Sequence, residues 1–246
     1  MDALALLNSF FAFKGAVRSK MPECLDFLVE RFGNELLRSE VLFQEDHGYL
    51  TFPRIPFSLE SLMPIHYAAM CGKPEMLRAI IKHYPDHWSI YSGYYISKVA
   101  SPLHRAVSGS KYENVQVLLE TMPKLIKFVD HNKNTAIHFA AWIDCHMLGL
   151  LLNVASRKII TARNNKGNTV LHLAADYMKR DIIDLLMNTG YFTGTERNHD
   201  GITPVFYFNS HNSPVTNSEL MRIFRFQTEQ QVIDALTIKK IIFRFM

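Results

Sequence analysis

Eleven histidines in a chain of 246 residues raise two kinds of chemistry: metal binding through imidazole nitrogen, and general acid–base work near neutral pH. Four of them, His66, His104, His138 and His172, stand in similar surroundings at steps of 38, 34 and 34 residues. A second candidate is Asp144-Cys145-His146, which sets a carboxylate, a thiol and an imidazole side by side. Those are the residue types of an activated thiolate. Consecutive residues of a helix point in different directions, however, so Cys145 reads as a small buried hydrophobe. The other cysteines, Cys24 and Cys71, show no paired spacing, which argues against a disulfide framework or a Cys-based zinc site. No Gly-rich phosphate loop, nucleophile elbow or His-Glu-x-x-His run is present. The expectation is a protein that is not an enzyme and holds no metal and no cofactor.

The elements that carry the four histidines repeat with them. Met63-Pro64-Ile65-His66-Tyr67-Ala68-Ala69, Ser101-Pro102-Leu103-His104-Arg105-Ala106, Thr135-Ala136-Ile137-His138-Phe139-Ala140-Ala141 and Thr169-Val170-Leu171-His172-Leu173-Ala174-Ala175 align. A fifth copy, Thr203-Pro204-Val205-Phe206, keeps the 34-residue step with Phe in the histidine position. Thirteen and fourteen residues after each histidine come Ala79/Ile80, Val117/Leu118, Leu151/Leu152 and Leu185/Leu186. With positions +10 and +11 (Met76/Leu77, Asn114/Val115, Leu148/Gly149, Ile182/Ile183) they form one face of a helix. Ahead of three motifs sit Asp130–Asn134, Asn164–Asn168 and Asn198–Gly201, runs of Asn, Asp and Gly suited to tight turns. Pro in a helix's first turn costs no hydrogen bond. Thr or Ser three residues before the histidine can cap the helix start.

These copies resemble the ankyrin repeat, a β-turn followed by two helices around T-P-L-H-x-A. The resemblance covers about residues 60–208. It implies an all-α fold, an ankyrin-repeat solenoid of helix-turn-helix units with short β-turn fingers and helical caps at both ends. The repeat histidines His66, His104, His138 and His172 then serve as hydrogen-bond hubs, not ligands. Stacked helices lie ~8–10 Å apart, and two zinc-bound nitrogens must each come within ~2.1 Å of one ion. Such arrays bind proteins through the turn tips and the concave face of the first helices. The outward positions are read as +1, +4 and +5, which gives a partner surface of Tyr67, Met70, Arg105, Lys133, Phe139, Trp142, Ile143, Lys166, Asp176 and Tyr177. Aromatic anchors and arginine dominate interfaces. Docking is therefore expected around Trp142 and Tyr177, with Arg105, Lys133 and Lys166 on the rim. The copies depart from the pattern at +6, where Gly72 is followed by Ser110, Asp144 and Met178.

Three segments follow. Residues 1–60 hold N-terminal helices, a degenerate repeat with Lys14 in the histidine position (Ala16, Val17, Cys24, Leu25, Phe27 and Leu28 on its apolar face) and an inserted loop over Gln44–Ser61. Residues 61–210 hold four clear repeats and a degenerate fifth. Residues 211–246 form a helical cap, with Leu220, Ile223, Phe224, Val232, Leu236 and Ile241 at helical spacing and an apolar Ile241–Met246 end. The segment Tyr84–Val99 is longer than its counterparts and rich in Tyr and Trp. Hydrophobic residues at 48% and charged residues at 20% fit a folded chain. A surplus of 27 Lys+Arg over 23 Asp+Glu is too thin for a nucleic-acid stripe. No run reaches the ~18 apolar residues of a membrane span, and the start has no secretory pattern. The expected protein is a monomeric, cytoplasmic adaptor or inhibitor of a protein partner. The alternative is the N-terminal ankyrin portion of a larger channel, scaffold or signalling protein.

Overall fold

Each repeat begins where a Pro or small residue opens a helix and Ala pairs let it approach its neighbour. Pro64, Pro102 and Pro204 stand at helix starts, and Ala68, Ala69, Ala106, Ala140, Ala141, Ala174 and Ala175 are completely buried. The computed structural model describes residues 12–13, 15–17, 22–32, 41–42, 61–62, 64–83, 100–211 and 215–237. The chain folds as two compact units, Met1–Leu125 and Ile126–Met246.

The first unit contains α1 (Pro22–Phe32), the strands β1 (Val41–Leu42) and β2 (Ser61–Leu62), and the helices α2 (Pro64–Cys71), α3 (Pro74–His83), α4 (Pro102–Ser108) and α5 (Tyr112–Thr121). First helices pack on each other (α2 on α4), and second helices do the same (α1 on α3, α3 on α5). Met76, Leu77 and Ile80, with Val115, Val117 and Leu118, fill the second layer. The strand pair is antiparallel, Val41 opposite Leu62 and Leu42 opposite Ser61. It is a small β element that the helical periodicity does not announce. In the degenerate N-terminal repeat, Ala16, Val17, Leu25 and Leu28 are buried as the repeat phase requires, but Phe27 is 61% exposed. Phe27 therefore leaves the core face on which it was expected. An ion pair between His83 and Asp26 at 2.5 Å ties α3 to α1. Lys14, the loop 44–60, the segment Tyr84–Val99 and the end Ile241–Met246 lie outside the described residues.

The second unit contains α6 (Ala136–Ala140), α7 (Cys145–Leu152), the one-turn α8 (Arg157–Ile160), α9 (Val170–Asp176), α10 (Arg180–Asn188), α11 (Pro204–His211), α12 (Asn217–Phe224) and α13 (Glu229–Leu236). Here α9 packs on α6 and α11, and α10 on α7 and α12. At the end of the array α13 packs on α11 and α12. Leu220, Ile223, Phe224 and Val232 are buried there. Phe208, Phe224 and Phe226 form an aromatic cluster, with ring centroids 5.8 and 6.3 Å apart. Thr216 and Thr228 cap α12 and α13 by accepting from Glu219 N and Gln231 N.

The +6 departures have a backbone meaning. Ser110 and Met178 take left-handed φ of 51° and 57°, the conformation that ends the first helix where glycine is the easy choice. Asp144 is different: it is extended and caps α7 by accepting from Met147 N at 2.8 Å. That cap starts the helix at Cys145, whose side chain is exposed. Cys145 is thus not the buried hydrophobe expected from sequence.

The same strain marks one turn. Lys133 has φ 59° where the equivalent residues of the next two repeats are Gly167 at 74° and Gly201 at 76°. A side chain at Gly167 would meet His199 N at 2.8 Å, whereas the Lys133 side chain is exposed. Left-handed backbone costs a non-glycine residue ~1 kcal/mol, so Lys133→Gly should raise stability by about 0.5–1 kcal/mol after the extra unfolded-state freedom of glycine is deducted. The check is the urea midpoint at constant slope.

Candidate functional site

The second unit repeats one hydrogen-bond scheme around its histidines. Thr135 N donates to His138 Nδ1 at 3.2 Å, and Thr169 N donates to His172 Nδ1 at 3.1 Å. The threonine hydroxyls lie 2.9 and 2.8 Å from the same nitrogens. The imidazole here does what Glu or Gln does in a capping box. Because Nδ1 accepts from a backbone N–H, the proton of the neutral ring is on Nε2. Nε2 then donates to the carbonyl before the next repeat's threonine: His138 to Asn168 O at 3.1 Å and His172 to Ile202 O at 3.2 Å. Both nitrogens of each ring are engaged, so neither ring offers a lone pair to a metal or a substrate proton. Burial, the leading cause, holds both rings well below the usual histidine pKa, His172 at about 4. The Ile202 bond opposes that shift at His172, and the charge of Arg163 adds to it.

In the first unit Ser101 serves His104 in the same way, with Ser101 N at 3.2 Å and its hydroxyl at 2.7 Å from Nδ1. At His66 the capping position is Met63, which has no hydroxyl. His66 Nδ1 accordingly has no hydrogen-bond partner among the described residues. Burial lowers its pKa to about 4.

The turns form a second ladder. Asp130, Asn164 and Asn198 each accept with Oδ1 from two backbone N–H groups of their own turn, at 2.7–3.0 Å. Asn164 and Asn198 also donate with Nδ2 to the turn before, to Asn134 Oδ1 at 2.9 Å and to Asn168 Oδ1 at 2.8 Å. Arg163 donates to Gly167 O at 2.8 Å within its own turn and to Arg197 O at 2.6 Å in the next. Arg197 repeats the pattern one repeat later: Gly201 O at 2.8 Å, then Thr237 O at 2.7 Å and Asp234 O at 2.8 Å at the end of α13. Thr203, whose histidine partner is replaced by Phe206, donates its hydroxyl to Ala235 O at 2.5 Å. The fifth repeat's departure from the pattern thus frees a hydroxyl that secures the last helix.

Of the ten residues expected on a partner surface, Tyr67, Met70 and Arg105 lie in the first unit and the other seven in the second. Tyr67, Arg105 and Phe139 are 5%, 7% and 8% exposed. Position +1 does not face outward, because neighbouring first helices lie against each other and +1 falls in that contact. Arg105 therefore cannot offer a rim charge. Met70, Trp142, Ile143, Asp176 and Tyr177 are half-buried, and Lys133 and Lys166 are exposed at the turn tips. What the structure does bring together is an aromatic row. Phe139 and Trp142 have ring centroids 5.0 Å apart, tilted by 48°. Trp142 and Tyr177, at equivalent ends of α6 and α9, are 5.6 Å apart, tilted by 59°. Behind them Lys179 Nζ donates to Ile143 O at 3.4 Å.

The residues that sequence reading did not single out are Arg163, Arg197 and Asn114. The two arginines carry a signal, since they recur at the 34-residue step. Asn114 occupies an apolar-face position, is buried, and donates with Nδ2 to Ala69 O and Gly72 O at 3.0 Å and to Ala68 O at 3.3 Å. It caps the carbonyl end of α2.

Stacked helix pairs, histidine-to-turn bonds and fingers laddered by Asn and Arg define a repeat protein. A family profile described as ankyrin repeats (3 copies) matches residues 103–196, and one described as ankyrin repeat matches residues 61–89. The chain belongs to the ankyrin-repeat family, whose repeats generally mediate protein–protein interaction and are typically non-enzymatic. Among the described residues no helix is long and apolar enough to cross a membrane.

Proposed function

We propose that this chain is a non-enzymatic adaptor or inhibitor that holds a protein partner against the half-exposed row of Trp142 and Tyr177. The observation that carries this reading is the aromatic pair itself. Two large rings stand half-exposed at the ends of successive first helices, with Phe139 buried beside them. Half-exposed, mutually braced aromatics supply contact area at low entropic cost and are the residue types that anchor interfaces. Ile143 and Met70 add apolar area within their own units, and Lys133 and Lys166 offer charge at the turn tips. We place the protein in the cytoplasm as a monomer that needs no cofactor, metal or nucleic acid.

The test is the double variant Trp142→Ala/Tyr177→Ala. The intact protein and the variant are each cross-linked in cell extract, and the captured proteins are compared. Loss of a specific partner with a melting temperature within about 2 °C of the parent (well under 1 kcal/mol for a unit of this size) supports docking on this row. Undiminished capture, or a melting temperature lowered by more than about 5 °C, would show that the rings serve packing.

A further inference from the structure

The aromatic row is also polar in a particular sense, and this inference rests on the docking reading above. Charge along the first helices of the second unit is sorted. Before α6 and α9 the exposed turn tips carry His131, Lys133, Lys166 and His199, against the single exposed acid Asp200. Past their ends come Asp144 and Asp176, beside Trp142 and Tyr177. The one cation at that end, Lys179, is drawn onto the carbonyl of Ile143. The faces of aromatic rings attract cations, tryptophan most strongly. The same unit already uses this contact twice: Arg157 lies 5.2 Å over Tyr191 and Arg180 lies 5.6 Å over Phe208. Among the described residues no cation of the chain lies over Trp142, whose ring touches only Phe139 and Tyr177.

We propose that the partner presents a basic side chain, arginine above all, which lies over the Trp142 ring beside the Asp176 carboxylate, inside an otherwise apolar or acidic segment. The Trp142–Tyr177 pair supplies two ring faces at 59°, and Asp176 supplies the counter-charge next to Tyr177. The basic turn tips at the opposite end of the same helices disfavour a partner that is basic throughout and favour carboxylates there. An acidic anchor at the ring end would meet two aspartates and two ring faces, all of the wrong sign.

The experiment pans a random dodecapeptide display library against the intact chain, with Trp142→Ala/Tyr177→Ala as the counter-selection. Enriched peptides are then synthesised, and their binding is followed by fluorescence polarisation. The expected peptides carry Arg or Lys next to an apolar residue. They bind about ten-fold more weakly to Asp176→Asn and to Trp142→Leu, as loss of one cation–π contact or its counter-charge implies. Asp176→Asn changes charge with little change of shape, so it reads electrostatics even if Trp142→Leu disturbs packing. Enriched peptides that are acidic or purely apolar, yet depend on the aromatic pair, overturn the cation proposal and leave the docking face standing. Peptides whose binding ignores both variants overturn both readings. A library that yields no enrichment overturns the proposal.

Discussion

Acidification from about pH 7 to about pH 4 is expected to strip several kcal/mol of stability from each unit. The cause is the neutral state that the fold imposes on its repeat histidines. In the unfolded chain a histidine takes up its proton near pH 6.5; folded His66 and His172 resist it until about pH 4, and His138 is shifted in the same direction. The folded pKa lies below the unfolded one, so the unfolded state binds more protons in between. Stability is complete above about pH 6.5 and falls as the pH drops towards 4. Each pKa unit is worth ~1.4 kcal/mol, which makes His66 and His172 responsible for a loss on the order of 3 kcal/mol apiece. That is a large share of the ~5–15 kcal/mol that holds a typical domain. Geometry gives the same answer: a proton on Nδ1 of His172 would face the N–H of Thr169, a donor against a donor, at 3.1 Å. Urea midpoints measured across this range should fall steeply below pH 6. His172→Gln, which keeps a donor and an acceptor but has no proton to gain, should flatten the second unit's share. A midpoint constant down to pH 4.5 would contradict the neutral-imidazole scheme.

Replacing Asn114 is expected to have the other large effect. Its Nδ2 meets three carbonyls at the end of α2, groups that a helix terminus leaves without internal partners. Asn114→Leu suits the apolar-face position but leaves those carbonyls without this donor. A buried unsatisfied group costs ~1–3 kcal/mol, and partial relaxation brings the expected total to about 3 kcal/mol. Asn114→Asp should be worse, at least ~4 kcal/mol, because a carboxylate would then face carbonyl oxygens in a buried site. Thermal melts of the three proteins should rank Asn, Leu, Asp. If the Leu variant is as stable as the parent, the amide bonds contribute nothing.

Asn114 also shows where sequence reading stops. The 34-residue phase located α4 through α11, the buried alanines and the histidine rows, because each is set by local helical period and recurs. Asn114 broke the period once, and a single polar residue in an apolar column does not reveal which helix end it caps. The outward set at +1 was misjudged for a related reason. Period alone places Tyr67, Arg105 and Phe139 on a helix face but does not say that another first helix covers it. Phe27 and Cys145 failed on the exact start and rotation of their helices, which depend on caps such as Asp144. Trp142 and Tyr177 were legible as anomalous aromatics, but their mutual contact required knowing that successive repeats are in register. The 34-step recurrence of Arg163 and Arg197 was in plain view, and its role became clear only with the carbonyls each one spans.

Phe206 has a consequence for how such a chain can change length. Every bond between neighbouring repeats upstream of it joins residues one period apart, so duplicating or deleting a whole unit there regenerates the same joints. Downstream, Thr203 and Arg197 are committed to α13, and a unit copied from the fifth repeat would bring Phe206 without the imidazole that grips a following turn. Growth or shrinkage of the array by recombination is therefore structurally cheap on one side of this position and self-defeating on the other, and a single side chain marks the boundary.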